Sequence, residues 1–222
     1  GILDVLDELG IYDDTVIAYT SDHGDACGSH GLRAKLPCVY EEVMGVPLIM
    51  KVPGVTQAGT ETDALATHVD LATTLCALGG VDIDDAPTLS GVDLSPALAD
   101  PSASPRDYVF FSQDAAQSDL IANTRYAVRG FFDGETKYAR YYGIGGGVDR
   151  AGNVDQRPKL FGEDAAFEDH DHEWYEPAED PHELINLAND VGRKGELREH
   201  FNRLLEIELA ELGDKAGHQG PS

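Results

Sequence analysis

The sequence predicts an α/β protein: a layered α/β block over residues 1–100, then a small antiparallel sheet with a C-terminal helix over residues 101–222. Three observations carry this. Two short unbroken apolar runs, TVIAYT at 15–20 and VPLIMKV at 46–52, have the composition of strands covered on both faces. Helical periodicity surrounds them, at Ile2, Val5, Leu6 and Leu9 and again from His68 through Leu75 and Leu78. Beyond the Pro- and Ser-rich stretch DPSASP at 100–105, the pattern changes to closely spaced β-rich segments and ends in one amphipathic stripe.

Taken in order, the first helix stops at Gly10, which is placed to act as its C′ residue, and Asp13-Asp14 makes a turn. The run at 15–20 delivers Ser21-Asp22-His23-Gly24 at its carboxyl end, where open α/β sheets bind ligands. A Gly-rich loop follows to about Lys35, then a helical turn near Tyr40-Glu41-Glu42 and the second strand, stopped by Pro53-Gly54. Unbroken apolar runs are characteristic of parallel sheets, so 15–20 and 46–52 are expected to be adjacent or near-adjacent parallel strands. Thr67 caps the helix that His68 opens and Gly79-Gly80 ends. In the second block, strands are expected at 108–112, 125–132 and 136–142, the last two joined through the hairpin signal Asp133-Gly134-Glu135. Residues 143–172 read as a long Gly- and Asp-rich surface loop, 173–175 as one more short strand, and Leu197, Phe201, Leu204, Leu205 and Leu212 as the apolar face of the last helix.

Composition narrows the function classes. With 41 acidic against 16 basic residues the formal net charge is −25, and the basic residues are scattered, so a nucleic-acid partner is not expected. The acids are spread along the chain, the pattern of a solvated surface suited to the cytoplasm of a high-salt organism; an acidic face for a cationic partner is the other reading. No run reaches the roughly 18–20 apolar residues that span a bilayer, and no membrane partner is expected. Cys27, Cys38 and Cys76 are odd in number and have no metal-ligand spacing, so no disulfide framework is expected.

Asp22-His23 at a strand end carries the chemistry, either as a hydrogen-bonded couple or as metal ligands. The wider stretch TVIAYTSDHGDACGSHGLRAKLPCVYEEVMGVPLIMKVPG resembles the sulfatase family of the alkaline phosphatase superfamily: a strand ending in Ser-Asp-His/Asn-Gly, a Gly-rich loop, a Lys before an acidic stretch, and a Val-Pro-Leu strand. The segments HVDLATTL at 68–75, GVDLSPAL at 91–98 and DPHELINLA at 180–188 resemble later landmarks of the same family, in the same order. The resemblance implies a partial alkaline-phosphatase-like layered α/β domain and a sulfuric ester hydrolase acting on a small anionic ester. It maps Asp22 and His23 onto divalent-metal ligands and Lys35 onto a contact to the anionic group, all three expected to converge at the carboxyl ends of the two strands. His30 is either a proton donor to the leaving group or a solvent-facing loop residue. The Asp-His pair resembles the choline-sulfatase and phosphonate monoester hydrolase-like branches, which keeps phosphonate and phosphodiester substrates open. Its imidazole nitrogen moves the expected ion from Ca²⁺ toward Mn²⁺ or Zn²⁺, with Mn²⁺ first. His68 is read as a helix opener, and His170 and His172 as residues of a solvated loop.

An intact sulfatase, the resemblance implies, also has paired Asp ligands and a Cys/Ser-x-Pro-x-Arg motif whose Cys or Ser becomes formylglycine. None of Cys27, Cys38 and Cys76 stands in that motif. The expectation is a chain that is inactive alone and is completed by a missing N-terminal half or partner chain. A non-catalytic remnant or partner subunit is the alternative.

Overall fold

The structure, a computed structural model, describes residues 1–35, 37–81, 89–113, 127–142 and 166–213. The chain packs as two units, one formed by Gly1–Gly24 with Gly45–Asp107 and the other by Asp25–Met44 with Tyr108–Ser222. Residues 25–44, which precede the second strand in the chain, therefore belong with the later half.

In the first unit, α1 spans Ile2–Glu8. Gly10 ends it at φ +67, and the amides of Gly10 and Ile11 bond back to the carbonyls of Asp7 (2.9 Å) and Leu6 (3.0 Å), which pairs these two helix-end carbonyls. Strand β1 (Ile17–Thr20) pairs with β2 (Leu48–Lys51), with Thr20 opposite Leu48 and Ile17 opposite Lys51. The pairing is antiparallel, which corrects the parallel arrangement expected from the two apolar runs. An unbroken apolar run says nothing about direction, and the cover on both faces that it predicts is not found either: no residue of β1 or β2 is buried, and Tyr19 and Ile49 are more than 60% exposed. Here the chain leaves β1 and returns to β2 at the same end of the sheet, and no crossover carries it back to the other end. The carboxyl ends of β1 and β2 consequently lie at opposite ends of the pair, so the two strands share no carboxyl end at which ligands could gather. Lys51 ties β2 to the preceding turn, its ammonium donating to the Tyr12 carbonyl (2.8 Å) and lying 4.6 Å from the Tyr12 ring centroid.

Helix α3 covers His68–Leu78, α2 being the single turn Glu41–Met44 in the other unit. Thr67 and Asp70 form a reciprocal capping box, with the Thr67 amide 2.8 Å from Asp70 Oδ2. Asp70 is fully buried; its Oδ1 accepts from the Val92 amide (2.9 Å) and from Arg106 Nη2 (2.5 Å). The segment at 91–98 lies along this helix through Thr73 Oγ1 donating to the Gly91 carbonyl (3.1 Å) and the Leu94 amide donating to Thr74 Oγ1 (2.9 Å). A β-carbon at Gly91 would sit 2.1 Å from the Val69 carbonyl oxygen, so the close approach admits only glycine. Asp93 then accepts from the Ser95 amide (2.9 Å) at the start of α4 (Ser95–Ala99).

In the second unit β3 (Val109–Gln113), β4 (Ala127–Phe132), β5 (Lys137–Tyr142) and β6 (Asp171–Tyr175) form an antiparallel sheet in that order. This is the small antiparallel sheet the sequence predicts. Asp133 closes the β4–β5 hairpin, its Oδ1 accepting from the amides of Glu135 (3.0 Å) and Thr136 (2.7 Å). Helix α5 (Lys194–Leu212) covers one face, packing Leu197, Phe201, Leu204 and Ile207 against Phe131, Tyr138 and Trp174. On the same face the buried Arg140 donates to both carboxylate oxygens of Glu208, Nε to Oε1 at 3.1 Å and Nη2 to Oε2 at 2.6 Å. The opposite face carries Val128, Ala139 and Tyr175, and against it packs Val39 with Tyr40 from the 25–44 segment. Residues 143–165 of the expected loop and the tail from 214 lie outside the described residues.

Candidate functional site

The first unit brings Asp22 and His23 together just beyond β1. The His23 amide donates to Asp22 Oδ1 (3.0 Å), and so does the Ser21 hydroxyl (3.3 Å), which turns the carboxylate toward the imidazole. His23 Nδ1 lies 2.6 Å from the Gly24 carbonyl oxygen. A carbonyl only accepts, so Nδ1 carries the proton and the neutral ring presents a bare lone pair at Nε2. That nitrogen stands 3.3 Å from Asp22 Oδ2. Two lone pairs facing each other at this distance repel unless a positive charge lies between them, either a proton on His23 or a metal cation. The separation suits adjacent corners of a coordination shell with bonds of about 2.1–2.4 Å. The Asp22 carboxylate is open to solvent, 82% exposed, which leaves its other coordination directions free for further ligands.

Desolvation, the largest single influence, raises the Asp22 carboxyl, but a positive charge on His23, the amides of Asp22 and His23 and the Ser21 hydroxyl together outweigh it, leaving the group below its ordinary value. His68 supports the pair from α3: its Nε2 donates to the Ser21 carbonyl at 2.7 Å, one residue before Asp22. Sequence reading placed His68 at the helix start but had no signal for this bond, which joins positions 47 residues apart.

The second unit places the loop carrying His30 and Lys35. Its backbone bends through positive φ at Cys27, Gly28, His30, Gly31 and Ala34, closed by the Gly28 amide to the Leu32 carbonyl (2.9 Å) and the Ala26 amide to the Ala34 carbonyl (3.3 Å). Lys35 is exposed and has no ion-pair partner among the described residues. His30 is not a solvent-facing loop residue. Its side chain is 10% exposed, its ring stacks on Tyr40 at 3.6 Å with planes 9° apart, and Nε2 lies 3.5 Å from Glu42 Oε2. Glu42 is held below its ordinary value chiefly by its own backbone amide, with Ser29 and His30 adding to it against the opposing desolvation.

Cys27 is exposed, and the hydrogen bond and charge of Asp25, with some desolvation, push its thiol up. Cys38 is buried. Among the described residues no group of three or more His, Cys, Asp or Glu side chains stands together as a metal cage.

Residues 1–81 match the sulfatase family model, the part of the chain that contains Asp22, His23, His30 and Lys35. The sulfatase family is thus what the first third of the chain is similar to. A sulfatase from Bacteroides thetaiotaomicron, N-acetylglucosamine-6-O-sulfatase, is 35% identical over 107 residues, covering 48% of this chain and 19% of the relative. Among solved structures, a protein in complex with its substrate D-glucosamine-2-N,6-O-disulfate shares the fold over 99% of this chain and 39% of its own, with a TM-score of 0.76 and 22% identity. The phosphonate monoester hydrolase of Agrobacterium radiobacter does so over 95% of this chain and 38% of its own, with a TM-score of 0.69 and 24% identity. The chain thus has an alkaline-phosphatase-like α/β fold and spans well under half the length of these relatives.

Proposed function

We propose that this chain is the part of a sulfuric ester hydrolase that supplies two metal ligands and the contacts to an anionic ester, and that it turns over substrate only with a separate part bearing the nucleophile. The observation that carries this is the Asp22–His23 pair, whose facing lone pairs at 3.3 Å call for a cation within the segment that matches the sulfatase family. Sulfatases use a divalent metal, and the donor set of one carboxylate oxygen and one imidazole nitrogen fits Mn²⁺ or Ca²⁺, the nitrogen favouring Mn²⁺. Bound there, such an ion supplies Lewis-acid stabilisation of developing oxygen charge. Asp22 and His23 hold it, with the His23 tautomer set by the Gly24 carbonyl and the strand end braced by His68. Lys35, free of any described partner, binds an oxygen of the sulfate group. His30, fixed between Tyr40 and Glu42, donates a proton to the leaving oxygen.

The test is reconstitution. The 222-residue chain alone, with Mn²⁺ or Ca²⁺, is expected to give no turnover of an aryl sulfate. Addition of an N-terminal sulfatase half bearing Cys-x-Pro-x-Arg, matured to formylglycine, is expected to create activity that a chelator removes and that Asp22→Ala or Lys35→Ala lowers by about 2–4 kcal/mol in barrier. Saturable hydrolysis by the chain alone, abolished by Asp22→Ala, would contradict the division of labour. Turnover of an aryl phosphonate monoester in preference to the sulfate would favour a phosphonate or phosphodiester hydrolase.

A further inference from the structure

The carboxylate of Glu183, in the DPHELINLA segment near the chain's end, lies inside the second unit and reaches the loop that carries His30 and Lys35. Glu183 is 2% exposed and adopts φ +50, a left-handed conformation that residues with a β-carbon disfavour. Its turn is held by the Glu183 amide on the Asp180 carbonyl (3.0 Å) and the Ile185 amide on Asp180 Oδ2 (2.8 Å). From there Glu183 Oε2 accepts the backbone amide of Glu41 (2.8 Å), 142 residues earlier in the chain. Its Oε1 lies 2.5 Å from Lys137 Nζ on β5, and the same ammonium lies 2.9 Å from Glu41 Oε2. One buried cation thus joins two carboxylates, clamping the start of α2 onto the sheet. The residues on either side of Glu41 are the ones that hold His30: Tyr40 gives the ring it stacks on, and Glu42 gives the carboxylate facing its Nε2.

We propose that Glu183 is a positioning residue for His30, acting through Glu41 and Lys137 to fix the Tyr40–Glu42 seat against which the imidazole rests. The inference rests on the reading of His30 as the proton donor, but the placement it describes is measurable without activity. Local wear in this clamp would free the seat while leaving the sheet intact, because β4 and β5 keep their own ladder and α5. A purely structural Glu183 would instead loosen the whole unit.

The experiment is NMR with amide hydrogen exchange on the full chain, the His30 ring resonances being assigned through a His30→Gln variant. Stacking on Tyr40 is expected to shift those resonances upfield by ring current. In Glu183→Ala they are expected to move toward the unstacked position, and exchange over residues 37–44 is expected to rise about 10- to 100-fold, the loss of a buried charge-assisted bond. Exchange in β4 and β5 is expected to change less than about threefold. Glu183→Gln, which keeps a carbonyl oxygen for the Glu41 amide, is expected to retain most of the stack with a smaller rise. If the alanine variant does not fold, the glutamine variant carries the test: unchanged exchange over 37–44 overturns the proposal. So does a His30 resonance that stays in place in Glu183→Ala, or an equal rise across the sheet. Normal placement by Glu183 combined with an active reconstituted enzyme indifferent to His30→Gln would refute the role of His30 and leave the positioning intact.

Discussion

Asp70 is where one substitution should do most harm to the first unit. Its carboxylate is fully buried and accepts three bonds: from the Thr67 amide at the helix start, from the Val92 amide of the 91–98 segment, and from Arg106. Charge-assisted bonds at about 1.5–3 kcal/mol each would sum to roughly 5–9 kcal/mol, but the three share one group and are not additive. The limiting term in Asp70→Ala is the Arg106 guanidinium, whose side chain is 8% exposed and loses this counter-ion. Removing one partner of a buried pair costs about 3–5 kcal/mol, and that is the expected loss. It is a large share of the roughly 5–15 kcal/mol that holds a domain together. The assay is urea unfolding followed by amide exchange in α3, which isolates the first unit. The double variant Asp70→Ala/Arg106→Leu removes the guanidinium along with its counter-ion and is expected to recover part of the loss. A single-variant cost below about 1 kcal/mol, or no recovery in the double variant, would refute the reasoning.

Other expectations follow from the second unit. Burial, with the charge of Arg203 and, less strongly, Arg193, holds His200 below its ordinary value, while Asp133 and Glu196 act the other way. Since the fold binds the neutral ring, its contribution is full above the unfolded pKa of 6.5 and is lost as pH falls below that value. Urea midpoints measured from pH 7.5 to 5 should therefore fall, and His200→Gln should flatten that slope. Desolvation raises Asp133, but the Thr136 and Glu135 amides and Arg203 outweigh it, so its stabilisation is present above 3.8 and lost on further acidification. Asp133→Ala should cost about 1–2 kcal/mol at pH 7 in denaturant titration, with most of the difference gone in strong acid.

Much of the second unit was legible because its signals are local. Asp133-Gly134-Glu135 marks the β4–β5 turn through bonds spanning at most three residues, and the Leu197-Phe201-Leu204 stripe marks the buried face of α5. The first unit shows the limit of such signals. The apolar runs located β1 and β2 correctly, yet strand direction depends on where the chain returns, which composition does not encode. Buried charge was equally silent. Lys137 and Arg140 look like solvent-facing strand residues until their partners arrive, Glu183 46 positions after Lys137 and Glu208 68 positions after Arg140. For the candidate site, Asp22 and His23 are adjacent in sequence, so their pairing was readable. The Tyr40 stack that removes His30 from solvent was not, because it requires the 25–44 segment to cover the second face of a sheet built mainly by residues after 108.

The claim on which the functional reading stands is that Asp22 and His23 form a cation-seeking pair. Mn²⁺ titration followed by paramagnetic broadening of the histidine ring resonances tests it most directly, at about 1 M salt so that the Debye length falls to about 3 Å and loose association with the acidic surface is suppressed. Two protein ligands should bind weakly, and His23 is expected to broaden first, at Mn²⁺ levels that leave His200 sharp, with the effect lost in Asp22→Ala. A His23 resonance that stays sharp while other histidines broaden, or broadening that persists unchanged in Asp22→Ala, would contradict the account.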